Sequence, residues 1–171
     1  MPEQIKPYGG TSRQRLTDLI NSANGLSLIE GIDFEYGSIV PYSDQPGANT
    51  KVTLKSLKAG SNDTDIHYAR LGIDVLGHLP VEFLKDIWID SVPFNIHDIL
   101  DRINEALGLN LVSEEVVNLR FESLQETYPL RITPGKSYAW RESEYLFKAS
   151  QTQDLSDVYL ITNLDGLYPP N

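Results

Sequence analysis

The side chains in this sequence that could do chemistry are mainly histidines and carboxylates. The three histidines are His67, His78 and His97, and none has ligand spacing such as His-x-x-x-His with a nearby glutamate. We therefore interpret them as surface or strand residues. The chain has no cysteine, which excludes disulfide scaffolds, thiolate zinc sites, iron–sulfur clusters and cysteine nucleophiles.

Paired carboxylates are the other candidate for chemistry, because a glycoside hydrolase needs two carboxyl groups facing one cleft. Three such pairs occur: Glu114 with Glu115, Glu142 with Glu144, and Asp154 with Asp157. An acidic chain contains such pairs through composition alone, so we interpret them as solvated surface residues. The run Asn62-Asp63-Thr64-Asp65 offers oxygen ligands, but it lacks the spacing of a calcium-binding loop and favours a polar hairpin turn.

Motifs for nucleophilic or nucleotide chemistry are also absent from the sequence. It contains no Gly-x-Ser-x-Gly elbow, glycine-rich phosphate loop or dinucleotide fingerprint. We therefore predict that the chain is not an enzyme, and that it has no catalytic, cofactor-binding or metal-binding residues and no cofactor.

The aromatic side chains are better candidates for contact with a partner. Tyr138 and Trp140 lie on the same face of one predicted strand, where they could stack on a sugar or on a partner's loop. Packing in the core or at its rim is the other interpretation of these two rings, and the pattern by itself favours it. The candidate interface residues are Tyr8, Tyr42, Trp88, Tyr138 and Trp140.

Composition narrows the classes of partner. The 171 residues include 14 Lys and Arg against 24 Asp and Glu, a net charge of -10. This balance disfavours a duplex-coating nucleic-acid binder and attachment to an anionic membrane surface. We see no signal peptide and no apolar run long enough to span a membrane, so we expect a soluble chain that binds neither nucleic acid nor membrane.

Hydrophobic periodicity predicts two helices among strands. Thr11 to Gln14 resembles a capping box, an apolar stripe follows, and Asn24-Gly25 ends the first helix. Asn95 caps the second helix, which Gly108 ends. Pro80 indicates one short helical turn, and residues 37–50 are expected to form a loop. The predicted strands cover residues 51–57, 64–75 with a bend near Ala69, 87–89, 119–124, 128–133, 137–147 and 157–162.

An internal repeat organises these elements. At an offset of 83 residues, seven of the thirteen positions from Leu16 to Leu28 are identical, where composition alone would give about one. We predict an α+β fold of two similar helix, glycine-turn and strand units, packed with antiparallel hairpins and sheets. The predicted divisions are an arm over 1–10, units over 11–90 and 91–165, and a tail over 166–171. The alternative is that any amphipathic helix ending in glycine resembles another.

The runs Leu16 to Leu28, Asn49 to Leu54 and Ile66 to Leu71 resemble a group of small structural proteins of large tailed bacteriophages. In that group a helix ending "IN…GL.L" is followed by "NT.V.L" and by a strand ending "Y.RL". Residues 101–118 resemble the same theme. The resemblance implies a non-enzymatic virion component of the tail, neck or capsid, made in the host cytoplasm. Its partners would be other virion proteins and copies of itself, contacted through the N-terminal arm, the 37–50 loop and the C-terminal strands.

Two other functions stay open from the sequence. A host-surface or carbohydrate-binding module would use Trp88 and Trp140 as stacking platforms. A cell-wall hydrolase would need a pair of carboxylates that converge in a cleft.

Overall fold

The computed structural model describes residues 9–76 and 84–151, and it shows an α+β fold, as the sequence predicts. We call residues 11–68 the first unit and residues 73–150 the second unit. The helix and strands of the first unit are α1 (Ser12–Asn24), β1 (Phe34–Pro41), β2 (Thr50–Ser56) and β3 (Thr64–Tyr68).

The second unit has more and shorter elements, and β4 (Leu71–Gly72) leads into it. Its helix and strands are β5 (Asp86–Trp88), β6 (Phe94–Asn95), α2 (Leu100–Leu107), β7 (Arg120–Phe121), β8 (Tyr128–Arg131), β9 (Trp140–Arg141) and β10 (Glu144–Ser150). Short 3-10 helices cover Ile73–Leu76, Ile96–Ile99 and Ser113–Glu115. Neither α-helix in the described ranges has the length and hydropathy required to cross a membrane.

Both helices begin and end where the sequence predicts. The hydroxyl of Thr11 accepts a hydrogen bond from the Gln14 amide, and Asn95 with Asp98 forms a capping box before the 3-10 turn that continues into α2. Gly25 and Gly108 follow the helices at φ values of 62° and 66°. These are left-handed conformations that a side chain would strain.

The repeat is visible in the hydrogen bonds that follow each helix. The side chain of Asn21 donates to the carbonyl of Leu28 and accepts from its amide, both at 2.9 Å. The side chain of Asn104 makes the same two bonds to Leu111, also at 2.9 Å. Identical residues therefore build identical turns in the two units.

Strand topology extends the likeness. In the first unit the sheet has the order β1-β2-β3 with antiparallel neighbours. In the second unit Val116 forms an antiparallel bridge to Ile132, next to β8, and β8 pairs antiparallel with β10. Each unit thus passes from its helix through a glycine turn to three segments connected in the same order.

Two parallel pairs of strands also occur. In the second unit, β5 pairs in parallel with β10. Between the units, β4 follows β3 after two residues and pairs in parallel with β9 of the second unit, in a separate two-stranded sheet. The segment that follows the first unit is therefore held by the second.

Two hydrophobic cores result. The first core consists of Leu16, Ile20, Phe34, Tyr36, Val52, Leu54, Tyr68 and Tyr138. The second core extends from Ile73 to Phe147 and includes Ile87, Ile89, Ile103 and Trp140. Apart from Tyr138, the buried residues up to Tyr68 belong to the first core and those from Ile73 onwards belong to the second. The boundary between the cores therefore precedes residue 90, and β5 packs with α2 in the second core.

Several strand predictions need correction. Residues 34–41 form β1 although the sequence predicts a loop from residue 37, because a register shift between Tyr36 and Ile39 interrupts the alternation. The strand predicted over 64–75 is interrupted after Tyr68, which confirms the bend predicted near Ala69; it resumes only as β4 and gives way to a 3-10 helix from Ile73. The strand predicted over 137–147 is divided into β9 and β10. The strand predicted over 119–124 shrinks to β7. The turn at Pro80, the strand over 157–162 and the tail over 166–171 lie outside the described residues.

Candidate functional site

A cleft of about 460 Å³ lies between the two units, a volume typical of ligand sites. The first unit lines it with the start of α1, the middle of β1 and one lysine of β2. The second unit lines it with the 3-10 turn after α2 and the turn before β9. The lining residues are Thr11, Ser12, Arg13, Tyr36, Gly37, Ser38, Ile39, Lys55, Val112, Glu114, Glu115, Gly135, Lys136 and Tyr138.

Glu115 is the most unusual residue of the cleft, because it is a glutamate that is only 2% exposed. Its Oε2 accepts a hydrogen bond from the Val112 amide at 3.0 Å. Its Oε1 is buried and has no hydrogen-bond partner in the structure. A buried acceptor without a donor costs about 1–3 kcal/mol of stability.

Cationic side chains also line the cleft, in a chain whose net charge is -10. Arg13 forms an ion pair with Glu30 and lies over the ring of Tyr138. Within residues 9–76 and 84–151, Lys55 and Lys136 have no ion-pair partner, and both are exposed. These two lysines favour an anionic group at the mouth of the cleft.

The start of α1 is fixed by bonds across the cleft. The Ser12 hydroxyl, in a buried residue, accepts a hydrogen bond from the Tyr138 amide at 3.2 Å, and the Tyr138 hydroxyl donates to the Gly37 carbonyl at 3.3 Å. Burial raises the pKa of both Tyr36 and Tyr138, so their hydroxyls stay protonated at neutral pH. These bonds connect the first unit to the segment before β9 beside the cleft.

Beside the cleft, Arg70 joins the units through a buried guanidinium group. The residue is 5% exposed, and its Nη1 donates to the carbonyls of Ser137 and Trp140, both at 3.1 Å. Its Nε donates to the Thr50 hydroxyl at 2.9 Å, and its Nη2 lies 3.4 Å from a carboxylate oxygen of Glu142. This network fixes the 137–142 segment against the first unit.

The structure does not bring the five candidate interface residues together. Tyr42 is half-buried, and its ring stacks on His67 with centroids 4.1 Å apart. Trp88 is 37% exposed, and the guanidinium of Arg102 lies over its ring at 4.1 Å. Tyr8 lies outside the described residues.

The prediction that Tyr138 and Trp140 form an exposed contact surface is wrong. Tyr138 is 8% exposed and packs in the first core, whereas Trp140 is 2% exposed and packs in the second core. Only Trp140 belongs to a strand, so the assumption of one shared strand face fails. The alternative, packing in the core, is what the structure shows.

Several of the carboxylates singled out in the sequence accept hydrogen bonds or form ion pairs within the described ranges. Glu142 accepts from the Gly135 amide at 2.8 Å, and Glu144 forms an ion pair with Arg131 at 2.6 Å. Asp65 accepts from Lys51 and Thr53, as expected of a polar hairpin. Asp154 and Asp157 lie outside the described residues.

The histidines of the described ranges serve structural contacts. His67 lies on β3, and a ring nitrogen of His97 lies 2.8 Å from the Val116 carbonyl. No group of three or more potential metal ligands occurs among residues 9–76 and 84–151. His78 lies outside these ranges.

Part of the cleft lining was singled out from the sequence, namely Tyr138, the pair Glu114 with Glu115 and the start of the 37–50 segment, but the cleft itself was not predicted. The structure forms a 3-10 turn over Ser113–Glu115, and nothing local in this run indicates that Glu115 is buried. Arg70 stands in the strand-like run that ends at Leu71, where nothing local indicates burial of its charge. Lys55 and Lys136 are 81 residues apart and meet only through the tertiary fold.

Comparison with known proteins gives one match. Residues 5–171 match the model of a family described as a family of unknown function, DUF7941. No curated protein and no solved structure matches the chain.

Proposed function

We propose that this chain, which belongs to the DUF7941 family, is a non-enzymatic structural or assembly subunit of a tailed-bacteriophage particle. It acts through contacts with other virion proteins and with copies of itself. The resemblance of its helix and strand motifs to small virion proteins supports this proposal. It is a component of the tail, neck or capsid, made in the host cytoplasm and found in the virion.

An exposed apolar turn is the observation that carries the proposal. Leu26, Ile29 and Ile32 are 49%, 54% and 66% exposed within seven residues. Leu109, which occupies the position of Leu26 in the second unit, is only 4% exposed. The first position of the turn is thus covered in the second unit and open in the first, whereas Val112, the counterpart of Ile29, is also exposed at 45%. An open apolar turn of this kind is typical of a surface that another protein covers.

Strand edges give further support. Among the described residues, β1 and β3 are the two edges of their sheet, and each pairs within it only with β2. Edge strands present unpaired backbone groups that can accept another chain. The contact segments expected from the sequence are thereby revised to the apolar turn and these edges.

The carbohydrate-binding alternative loses one of its two platforms, because the Trp140 ring is buried in the second core. Arg102 covers one face of the other platform, Trp88. No observation favours this function over assembly.

Mass spectrometry and negative-stain microscopy of purified particles test the proposal. We expect the chain in a fixed number of copies per particle. A non-structural protein made at similar levels by the same phage serves as the control for carry-over. Absence of the chain from purified particles, or variable amounts equal to the control, would contradict the proposal.

The apolar turn has a matched test within the chain. Ile32→Asp should reduce incorporation into particles at least about tenfold, because a charge would be buried in the contact. Val75→Asp is the control, since Val75 is 63% exposed, close to the 66% of Ile32, and lies in the second unit. Equal incorporation of the two variants would show that the apolar turn is not the contact.

A further inference from the structure

The outer edge of β3 is open along the strand. Within its sheet β3 pairs only with β2, and no other described residue forms a hydrogen bond with the backbone of residues 64–67. The β1 edge is partly used, because the Gly37 carbonyl accepts a hydrogen bond from the Tyr138 hydroxyl. In the second sheet, the segment after α2 pairs beside β8, and an arginine of α2 donates to the end of β5. The edge of β3 therefore offers its backbone groups to another strand.

The exposed face of β3 carries an acceptor and a donor on either side of Ile66. Asp65 and His67 are exposed, and they lie on the same face because they are two residues apart. The Asp65 carboxylate accepts from two side chains of β2, and its oxygens have lone pairs for a further donor. The ring of Tyr42 stacks on His67, which contacts the face of the imidazole rather than its nitrogens.

This pattern is complementary to itself. If two copies of β3 pair antiparallel about a twofold axis at Ile66, each Asp65 lies opposite His67 of the other copy. The Cβ atoms of directly opposed residues lie about 4.5–5.5 Å apart, so His67 can donate to Asp65. A register centred on Asp65 would place two carboxylates opposite each other, and one centred on His67 would place two imidazoles opposite each other. The register centred on Ile66 also pairs all five residues of β3.

We propose that the edge of β3 binds the same edge of a second copy, which joins the two first-unit sheets into one six-stranded antiparallel sheet. The inference rests on the proposed function, because it specifies how copies of the chain meet at one of its strand edges. A small apolar cavity lined by Leu19, Tyr68 and Leu71 adjoins the end of β3. In the antiparallel pair, the residues before β3 of the second copy lie next to this cavity, and burial of its apolar surface adds to the backbone pairing.

Sedimentation equilibrium of the isolated full-length chain tests the proposal. We expect a monomer–dimer equilibrium in which hydrogen exchange at the amides of residues 64–68 slows as protein concentration rises, whereas exchange in β1 does not change. A chain that remains monomeric up to about 1 mM would overturn the proposal. A dimer without added protection in β3 would overturn it as well.

Charge variants test the register. His67→Asp places two carboxylates opposite each other at both pairs, so it should weaken dimerisation at least about tenfold. Asp65→Lys removes the acceptor for His67 and should also weaken dimerisation at least about tenfold. The control is Glu105→Lys, at an exposed position of α2, which changes the net charge as much as Asp65→Lys does. Equal effects of Asp65→Lys and Glu105→Lys would refute the proposed register.

A mixture of the two variants separates pairing between copies from damage within one copy. In a mixed dimer, the aspartate introduced at position 67 of one copy faces the lysine introduced at position 65 of the other. The natural Asp65 and His67 face each other at the second pair. The one-to-one mixture should therefore dimerise at least as tightly as the natural chain, although each variant alone does not. A mixture that dimerises no better than the separate variants would overturn the antiparallel pairing.

Self-association and particle composition can fail separately. A chain that is present in purified particles but monomeric in isolation would retain the proposed function and overturn this inference. A β3 dimer of a chain that is absent from particles would do the reverse. A dimer that Ile32→Asp abolishes and the β3 variants leave unchanged would place the contact between copies at the apolar turn, which would also overturn the inference.

Discussion

The two units share a helix, a glycine turn and three connected segments, but they differ in how far each supports itself. The second core draws all of its buried residues from 73–147, whereas the first core includes Tyr138 from the second unit. Within the second unit β5 pairs in parallel with β10, whereas β4, which follows the first unit, pairs in parallel with β9 of the second. A repeated sequence has therefore produced one self-contained unit and one that depends on its neighbour.

The difference explains where the exposed features lie. The first unit has three exposed apolar side chains within one turn, at Leu26, Ile29 and Ile32, and it provides β1 to the cleft. In the described part of the second unit, exposed apolar side chains such as Val75 and Leu124 are far apart in the sequence, and its three-stranded sheet also ends in two edge strands, β5 and β8. The surface that we propose for assembly partners lies on the first unit because its exposed apolar residues are close together in one turn.

The largest expected effect comes from the junction between the units. Arg70→Met removes the donors to two buried carbonyls, of Ser137 and Trp140, and should lower the free energy of unfolding by about 3 kcal/mol. Urea denaturation followed by tryptophan fluorescence measures the loss. Hydrogen exchange should show reduced protection in β2 and β3 more than in β8 and β10.

Arg131→Met is the matched control, because Arg131 forms an ion pair with Glu144 and is 52% exposed. Exposed ion pairs contribute about 0–1 kcal/mol, so this variant should be nearly neutral. If the two variants lost similar stability, the buried guanidinium would not be what joins the units.

The second prediction compares the repeated turns directly. Asn21 and Asn104 make identical pairs of bonds, but the turn of Asn104 holds Leu109 and Leu111 in a core whereas Leu26 is exposed. Asn104→Ala should therefore lower the free energy of unfolding by about 2 kcal/mol and Asn21→Ala should lower it by about 1 kcal/mol, as measured by urea denaturation.

Asn110→Ala, at an exposed position beside the second turn, is the control and should be neutral. A larger cost for Asn21→Ala than for Asn104→Ala would show that the first turn is the more strongly supported of the two, contrary to this account.

The sequence predicted the features that local chemistry determines. Both helices, their caps and their glycine ends are confirmed, because a cap and a left-handed glycine depend on neighbouring residues alone. The hairpin of β2 and β3 is confirmed for the same reason, since its alternation is regular on both sides of the turn. β1 was missed at residue 37 because its bulge removes the alternation that identifies a strand.

The candidate site could not be predicted, since its residues meet only after folding. Arg70 is buried by residues of both units, and Glu115 is buried although nothing beside it in the sequence indicates this, whereas charged residues are assigned to the surface by any sequence rule. Tyr138 and Trp140 were placed on one face by alternation, but the chain turns between the two cores at that point. Tertiary packing, not local pattern, decides both outcomes.

The smallest expected effect concerns the pH dependence of the junction. Burial alone would raise the pKa of Glu142, but the Gly135 amide and the Arg70 guanidinium outweigh it and hold this pKa below its ordinary value of 4.5. A carboxyl group whose pKa is lower in the folded state stabilises the fold above the unfolded pKa and loses that contribution as the pH falls through the folded pKa.

Glu142→Gln should therefore be less stable than the natural chain at pH 7, and the difference should shrink below about pH 4.5. Urea denaturation across pH 3–7 measures this difference in the free energy of unfolding. The control is Glu144→Gln, because the ion pair of Glu144 lies within the second unit. A difference between Glu142→Gln and the natural chain that does not change with pH would show that Glu142 acts through its shape rather than its charge.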